Sequence, residues 1–155
     1  MKNQKIIFTT KIPSQTKKLG GLLAKTILES GAGESARVLA LAGNLGAGKT
    51  NFIQGFAKGL GIKETINSPT FVILRKYPLA NACSGFEVFY HIDCYRLGSD
   101  KELLQLGVEG ILKDPASIVA VEWPEIADNL FPRKVLMIEF ETLGANERRI
   151  VINEK

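Results

Sequence analysis

A chain of 155 residues, 45% hydrophobic and 23% charged, has the composition of a globular protein long enough to bury one core. No apolar run approaches the roughly 18 residues of a membrane span, and the patch after Met1-Lys2-Asn3-Gln4-Lys5 is too short for a signal-peptide core. The net charge of +4 is compatible with an acidic or nucleic-acid partner, but the basic residues come as scattered pairs that a solvated surface explains as well. These are Lys17-Lys18, Arg75-Lys76, Arg133-Lys134 and Arg148-Arg149. Cys83 and Cys94 show no metal-ligand spacing. Free thiols in a reducing cytosol are the plain reading, so cytoplasmic residence is expected.

In chain order, Ile6-Ile7-Phe8-Thr9-Thr10 reads as a strand. Ser14 is placed to cap a helix with Leu19, Leu22, Leu23 and Ile27 on one face, ending near Gly31 and Gly33. The apolar run Val38-Leu39-Ala40-Leu41-Ala42 predicts a buried strand, and Phe52, Ile53, Phe56, Ala57 and Leu60 predict a helix closing at Gly59-Leu60-Gly61. Two strands follow, Thr70 to Leu74 and Glu87 to Ile92, joined through Pro78, Asn81, Ser84 and Gly85 and therefore expected to be antiparallel. Leu103, Leu104, Leu106 and Ile111 mark short helical turns. Ile118-Val119-Ala120-Val121 is a further buried strand, and Pro124 starts a short helix through Ala127 and Leu130. Val135 to Phe140 and Arg149 to Ile152, separated by Gly144-Ala145-Asn146, form a terminal hairpin. The expectation is one domain over residues 1–155, a three-layer α/β fold of the P-loop NTPase type. Its mixed sheet is parallel around the loop at residues 43–50 and antiparallel elsewhere.

That loop reads Gly43-Asn44-Leu45-Gly46-Ala47-Gly48-Lys49-Thr50, a complete Walker A motif, and it lies between a strand and a helix as such a loop must. Glycines let backbone N–H groups converge on phosphates without Cβ clashes, and the helix behind presents its positive end. Lys49 is placed to reach the β- and γ-phosphate oxygens and the Thr50 hydroxyl to ligate Mg²⁺, so binding of a nucleoside triphosphate is expected. Such a site needs a carboxylate at the end of a second apolar strand, and Asp93 and Glu122 both qualify. Glu122 ends the fully apolar run. Thr70, after Ser68-Pro69, reads either as a switch threonine or as a turn starting a strand. His91, the single histidine, reads as a hydrogen-bonded structural residue. Trp123 could stack on a base, although packing beneath the sheet is the first expectation.

The Walker A loop, Ser68-Pro69-Thr70-Phe71, His91-Ile92-Asp93-Cys94-Tyr95-Arg96 and Val121-Glu122-Trp123-Pro124 together resemble the TsaE (YjeE) family over about residues 6 to 142. Members are bacterial ATPases required for threonylcarbamoylation of adenosine 37 in tRNAs that read codons beginning with A. The resemblance implies ATP and Mg²⁺ as ligands, with ATP held by Asn44, Leu45, Gly46, Ala47, Gly48, Lys49, Thr50, Asn51 and Trp123. It implies Thr50 and Glu122 as Mg²⁺ ligands, and Lys49, Asp93, Glu122 and Thr70 as the catalytic set. It further implies slow hydrolysis in isolation, with TsaD and TsaB as partners, tRNA reached through that complex, and no membrane association. Asn44 and Asn51 replace an Asp and a Thr of the family pattern, at positions the phosphate mechanism does not require. Arg96 is a candidate charge-neutralising arginine or a partner for Asp93. The alternatives are a small-molecule or nucleoside kinase, disfavoured by the lack of lid arginines, and a nucleotide-gated binding module without essential hydrolysis.

Overall fold

A computed structural model describes residues 4–67, 73–80 and 84–155. Its spine is a seven-stranded sheet: β1 (Lys5–Thr10), β2 (Arg37–Ala42), β3 (Leu74–Pro78), β4 (Val88–Asp93), β5 (Ser117–Glu122), β6 (Val135–Thr142) and β7 (Arg148–Glu154). The spatial order is β1-β7-β6-β2-β5-β4-β3. β2 lies between β5 and β6, parallel to both, and β4 runs parallel to β5. The remaining pairs, β3 with β4, β6 with β7 and β1 with β7, are antiparallel. The expected mixed sheet is therefore present, its parallel part centred on the strand that feeds the loop.

Helices cover both faces because the parallel strands are apolar on both sides. Every residue of β5 is buried. On one face, α1 (Pro13–Ser30) and α2 (Lys49–Gly59) pack over Leu39, Leu41, Phe89, Ile118 and Ala120. On the other, α3 (Lys101–Gln105), α4 (Val108–Lys113) and a 3₁₀ helix at Pro124–Leu130 cover Val38, Ala40, Ile92, Val119 and Val121. No helix among the described residues is long and apolar enough to cross a membrane.

Three sequence expectations need correction. Ser14 is not the cap: Pro13 takes the first helical turn, Ile12 occupies the N-cap without a side-chain bond, and Gln15 Oε1 accepts the Lys11 N–H at 2.7 Å. Leu22 is 52% exposed, because α1 buries Thr16, Gly20, Ala24 and Ile27 instead, on a stripe spaced by four and then three. The described strand β3 begins at Leu74 and runs on through Arg75, Lys76 and Tyr77. Residues 70–72 of the expected strand lie outside the described residues, as do Asn81 and Cys83.

α1 and α2 touch through glycines, and the contact fixes where the loop sits. A Cβ on Gly55 would lie 1.8 Å from the Lys17 carbonyl oxygen, and one on Gly20 would lie 2.2 Å from the Phe52 carbonyl oxygen. Alanine at Gly55 would gain about 1 kcal/mol of helix propensity. Forcing the helices apart costs about 3 kcal/mol, so the clash wins. Gly55→Ala is expected to lower stability by about 2 kcal/mol and the melting temperature by roughly 5 °C, checked by thermal unfolding. An unchanged melting temperature would mean that the helices are not in backbone contact.

Candidate functional site

β2 ends at Ala42, and the chain turns through residues 43–48 before α2 begins at Lys49. Gly46 and Gly48 carry φ of 76° and 102°, values that a side chain disfavours, and Gly48 is the N-cap of α2. The Ala47 N–H donates to the Asn44 carbonyl at 3.1 Å and the Phe52 N–H to the Gly48 carbonyl at 3.0 Å. The first backbone N–H groups of α2 lack intrahelical acceptors, no side chain caps them, and they form the positive end of the helix. Such an end favours an anion.

The neighbouring strands bring the carboxylates to the same place. Phe89 of β4 and Ala120 of β5 face α2, and strand alternation puts His91, Asp93 and Glu122 on that side too. Asp93 and Glu122 are direct register partners, 6% and 3% exposed. Two carboxylates this buried need compensating partners. His91 Nε2 lies 2.9 Å from Glu122 Oε2, and Asp93 Oδ1 accepts the Tyr95 N–H at 2.9 Å. The remaining imidazole nitrogen, His91 Nδ1, has no hydrogen-bond partner among the described residues.

Lys49 supplies the positive charge. It is 5% exposed, and its ammonium donates to the Gly43 carbonyl and sits 3.8 Å from the centroid of the Trp123 ring. Burial lowers its pKa from the ordinary 10.5, against the opposing pull of Glu122, Asp93 and Glu125. Trp123 reaches this position through a left-handed backbone, φ 54°, which is uncommon for a bulky residue. Its backbone N–H donates to the Leu41 carbonyl at 3.2 Å, and the Tyr95 ring centroid lies 5.0 Å from that of Trp123. Beside the site, burial and then the charges of Asp93 and Glu125 push the Cys94 thiol up to about 12, which leaves it protonated and inert.

Trp123 is the single tryptophan of the chain. A triphosphate that draws the Lys49 ammonium off the indole would change the ring's surroundings. Titration with Mg²⁺-ATP is expected to give a saturable change in tryptophan emission. Binding detected by equilibrium dialysis without such a change would show that the lysine stays in place.

The resulting pocket, about 290 Å³, is lined by residues 45–51 together with Asp93, Tyr95, Glu122 and Trp123. Of the residues that the resemblance assigns to ATP, Mg²⁺ and catalysis, Asn44 is the one described residue absent from the lining; Thr70 lies outside the described residues, and Arg96 does not line the pocket either. Trp123 does not simply pack beneath the sheet, because it forms a wall of the pocket. Tyr95 was missed, although it follows Asp93 in the same motif. Arg148 was missed as well. It contacts the loop by donating from Nη2 to the Gly46 carbonyl at 2.9 Å. A larger groove of about 980 Å³ between α1 and α2 is lined by exposed lysines, among them Lys17, Lys25 and Lys58, but holds neither the loop nor the carboxylate pair.

A strand, a Walker A turn and a helix, with acids at the ends of the two adjacent parallel strands, define a P-loop NTPase-like fold. The crystal structure of YdiB from Bacillus subtilis superposes with a TM-score of 0.76 at 28% identity, covering 99% of this chain and 87% of that one. The model of the family described as threonylcarbamoyl adenosine biosynthesis protein TsaE matches residues 10–150, and the chain belongs to that family. The tRNA threonylcarbamoyladenosine biosynthesis protein TsaE of Bacillus subtilis (strain 168) is 39% identical over 113 residues, 73% of this chain and 66% of that protein, just under two thirds of its length. The protein of the same name from Borreliella burgdorferi is 39% identical over 110 residues, covering 70% of this chain and 76% of that protein. The one from Treponema pallidum (strain Nichols) is 33% identical over 132 residues, covering 85% and 89%.

Proposed function

We propose that the protein is an ATP-binding, slowly hydrolysing accessory factor for threonylcarbamoylation of adenosine in tRNA, acting in the cytoplasm with TsaD and TsaB. The observation that carries this reading is the convergence of Lys49, Thr50, Asp93 and Glu122 on one pocket at the start of α2. Lys49 and the loop amides would take the β- and γ-phosphates. Thr50 and Glu122 would hold Mg²⁺, with Asp93 beside them. An all-oxygen donor set suits that ion, and so does a sparse one, because Mg²⁺ keeps several waters and takes phosphate oxygens as ligands. Among the described residues no group of three or more His, Cys, Asp or Glu could hold a metal by itself. The ion would neutralise charge developing on the transferred phosphoryl group.

The family membership supports the tRNA role, and the names of the related proteins state the same modification. Among the described residues the pocket lining offers the phosphates one lysine and no second cation, which favours slow hydrolysis in isolation and a partner that completes the site. Thr70 remains a proposed sensor of the γ-phosphate. Phosphate release from Mg²⁺-ATP, with and without the TsaB–TsaD pair, tests the reading. Clear stimulation by the pair is expected. A rate near zero in both conditions would remove hydrolysis from the proposal.

A further inference from the structure

Arg148 opens β7, and its guanidinium ties the β6–β7 turn to the phosphate loop. Nη1 donates to the Gly144 and Glu147 carbonyls, each at 2.9 Å, while Nη2 donates to the Gly46 carbonyl at 2.9 Å across 102 residues of sequence. Nε is buried and has no hydrogen-bond partner among the described residues. The arginine stem also borders the loop: a Cβ on Gly48 would lie 3.8 Å from Arg148 Cγ and 3.7 Å from Thr16 Cγ2. Thr16 is fixed from behind by a 2.8 Å hydroxyl contact to Thr10. The loop is thus braced from outside by α1 and β7.

A glycine-rich loop binds phosphate well only when its peptide planes are already oriented, because every plane ordered on binding subtracts from affinity. The Gly46–Ala47 peptide is held at both ends, its carbonyl by Arg148 and its N–H by the Asn44 carbonyl at 3.1 Å. That arrangement fixes the outward side of the loop and leaves the anion-facing side to the start of α2. Lysine cannot replace the arginine, since one ammonium cannot span the turn and the loop as a planar fork does.

We propose that Arg148 is a positioning residue that pre-shapes the phosphate loop for nucleotide. The inference rests on the nucleotide-binding reading above for its ligand, but its structural half can be tested without any ligand. Arg148→Ala and Arg148→Lys are compared with wild type and with Arg149→Ala. Arg149 is one residue along the same hairpin and directs its guanidinium to Glu141 instead.

The readouts are Mg²⁺-ATP affinity by calorimetry, KM and kcat for hydrolysis, and amide hydrogen exchange of residues 44–48 in the nucleotide-free protein. Both Arg148 variants are expected to bind about tenfold more weakly, the scale of one lost charge-assisted hydrogen bond. KM should rise while kcat stays within a factor of about two, because the arginine meets the loop and not the reacting atoms. Loop exchange should quicken in both variants and stay at the wild-type rate in Arg149→Ala. A purely structural role would instead lower kcat and melting temperature together. Affinity and exchange unchanged from wild type in either folded variant overturn the proposal. If wild-type protein binds no nucleotide, the functional reading fails, and loop exchange alone still decides whether Arg148 braces the loop. Should Arg148→Ala fail to fold, Arg148→Lys, which keeps the charge and most of the stem, decides.

Discussion

Lys49→Ala is expected to abolish nucleotide-dependent activity, lowering hydrolysis of Mg²⁺-ATP by about 10²-fold or more. Among the described residues, Lys49 is the single cationic side chain lining the pocket. Its ammonium is held by the Gly43 carbonyl and the Trp123 face, both groups it can leave for a phosphate oxygen. Lys49 is buried, so its charge is screened less than that of an exposed lysine and its loss weighs more. The same substitution removes a positive charge that couples to Glu122 and Asp93, whose pull on Lys49 runs against the effect of its burial. Repulsion between these acids and a triphosphate would then weigh more, and affinity should fall with turnover. Phosphate release and equilibrium binding, measured together on the variant, check this. Hydrolysis within tenfold of wild type would remove Lys49 from the role of phosphate ligand.

The parts legible in the sequence are those whose signal is contiguous. β2, the loop and α2 occupy residues 37–59 without interruption, and the apolar spacing of Phe52, Ile53 and Phe56 survives intact as buried residues. Asp93 and Glu122 were legible because each terminates an apolar run at the edge where ligands gather in parallel sheets. β3 was displaced in the reading because an edge strand need not be apolar. Its Arg75 and Lys76 are exposed, as suits a strand with one unpaired edge. Ser14 misled because a serine near a helix start is a common cap, whereas Pro13 was already suited to the first turn. Leu22 misled because four apolar residues were assigned to a stripe that has room for fewer. Arg148 left no local trace: its partner Gly46 is 102 residues away, and its neighbour Arg149 looks the same in sequence while pairing with Glu141 instead.

Glu122→Gln and Asp93→Asn are expected to separate binding from turnover. Both replacements keep shape and hydrogen bonding while removing charge. A glutamine oxygen or nitrogen can still meet His91 Nε2, now 2.9 Å from Glu122 Oε2. An asparagine oxygen can still accept the Tyr95 N–H, now 2.9 Å from Asp93 Oδ1. The loop, Lys49 and the α2 N-terminus are untouched, so Mg²⁺-ATP affinity should stay within about tenfold of wild type. Hydrolysis should fall by about 10²-fold or more, because a neutral amide holds Mg²⁺ poorly and cannot orient a water as a carboxylate does. The decisive comparison adds tRNA modification in the presence of TsaB and TsaD. A parallel loss of hydrolysis and modification would make turnover part of the cycle. Undiminished modification by both hydrolysis-deficient variants would leave nucleotide occupancy as the signal, with the buried carboxylates serving to shape the pocket that senses it.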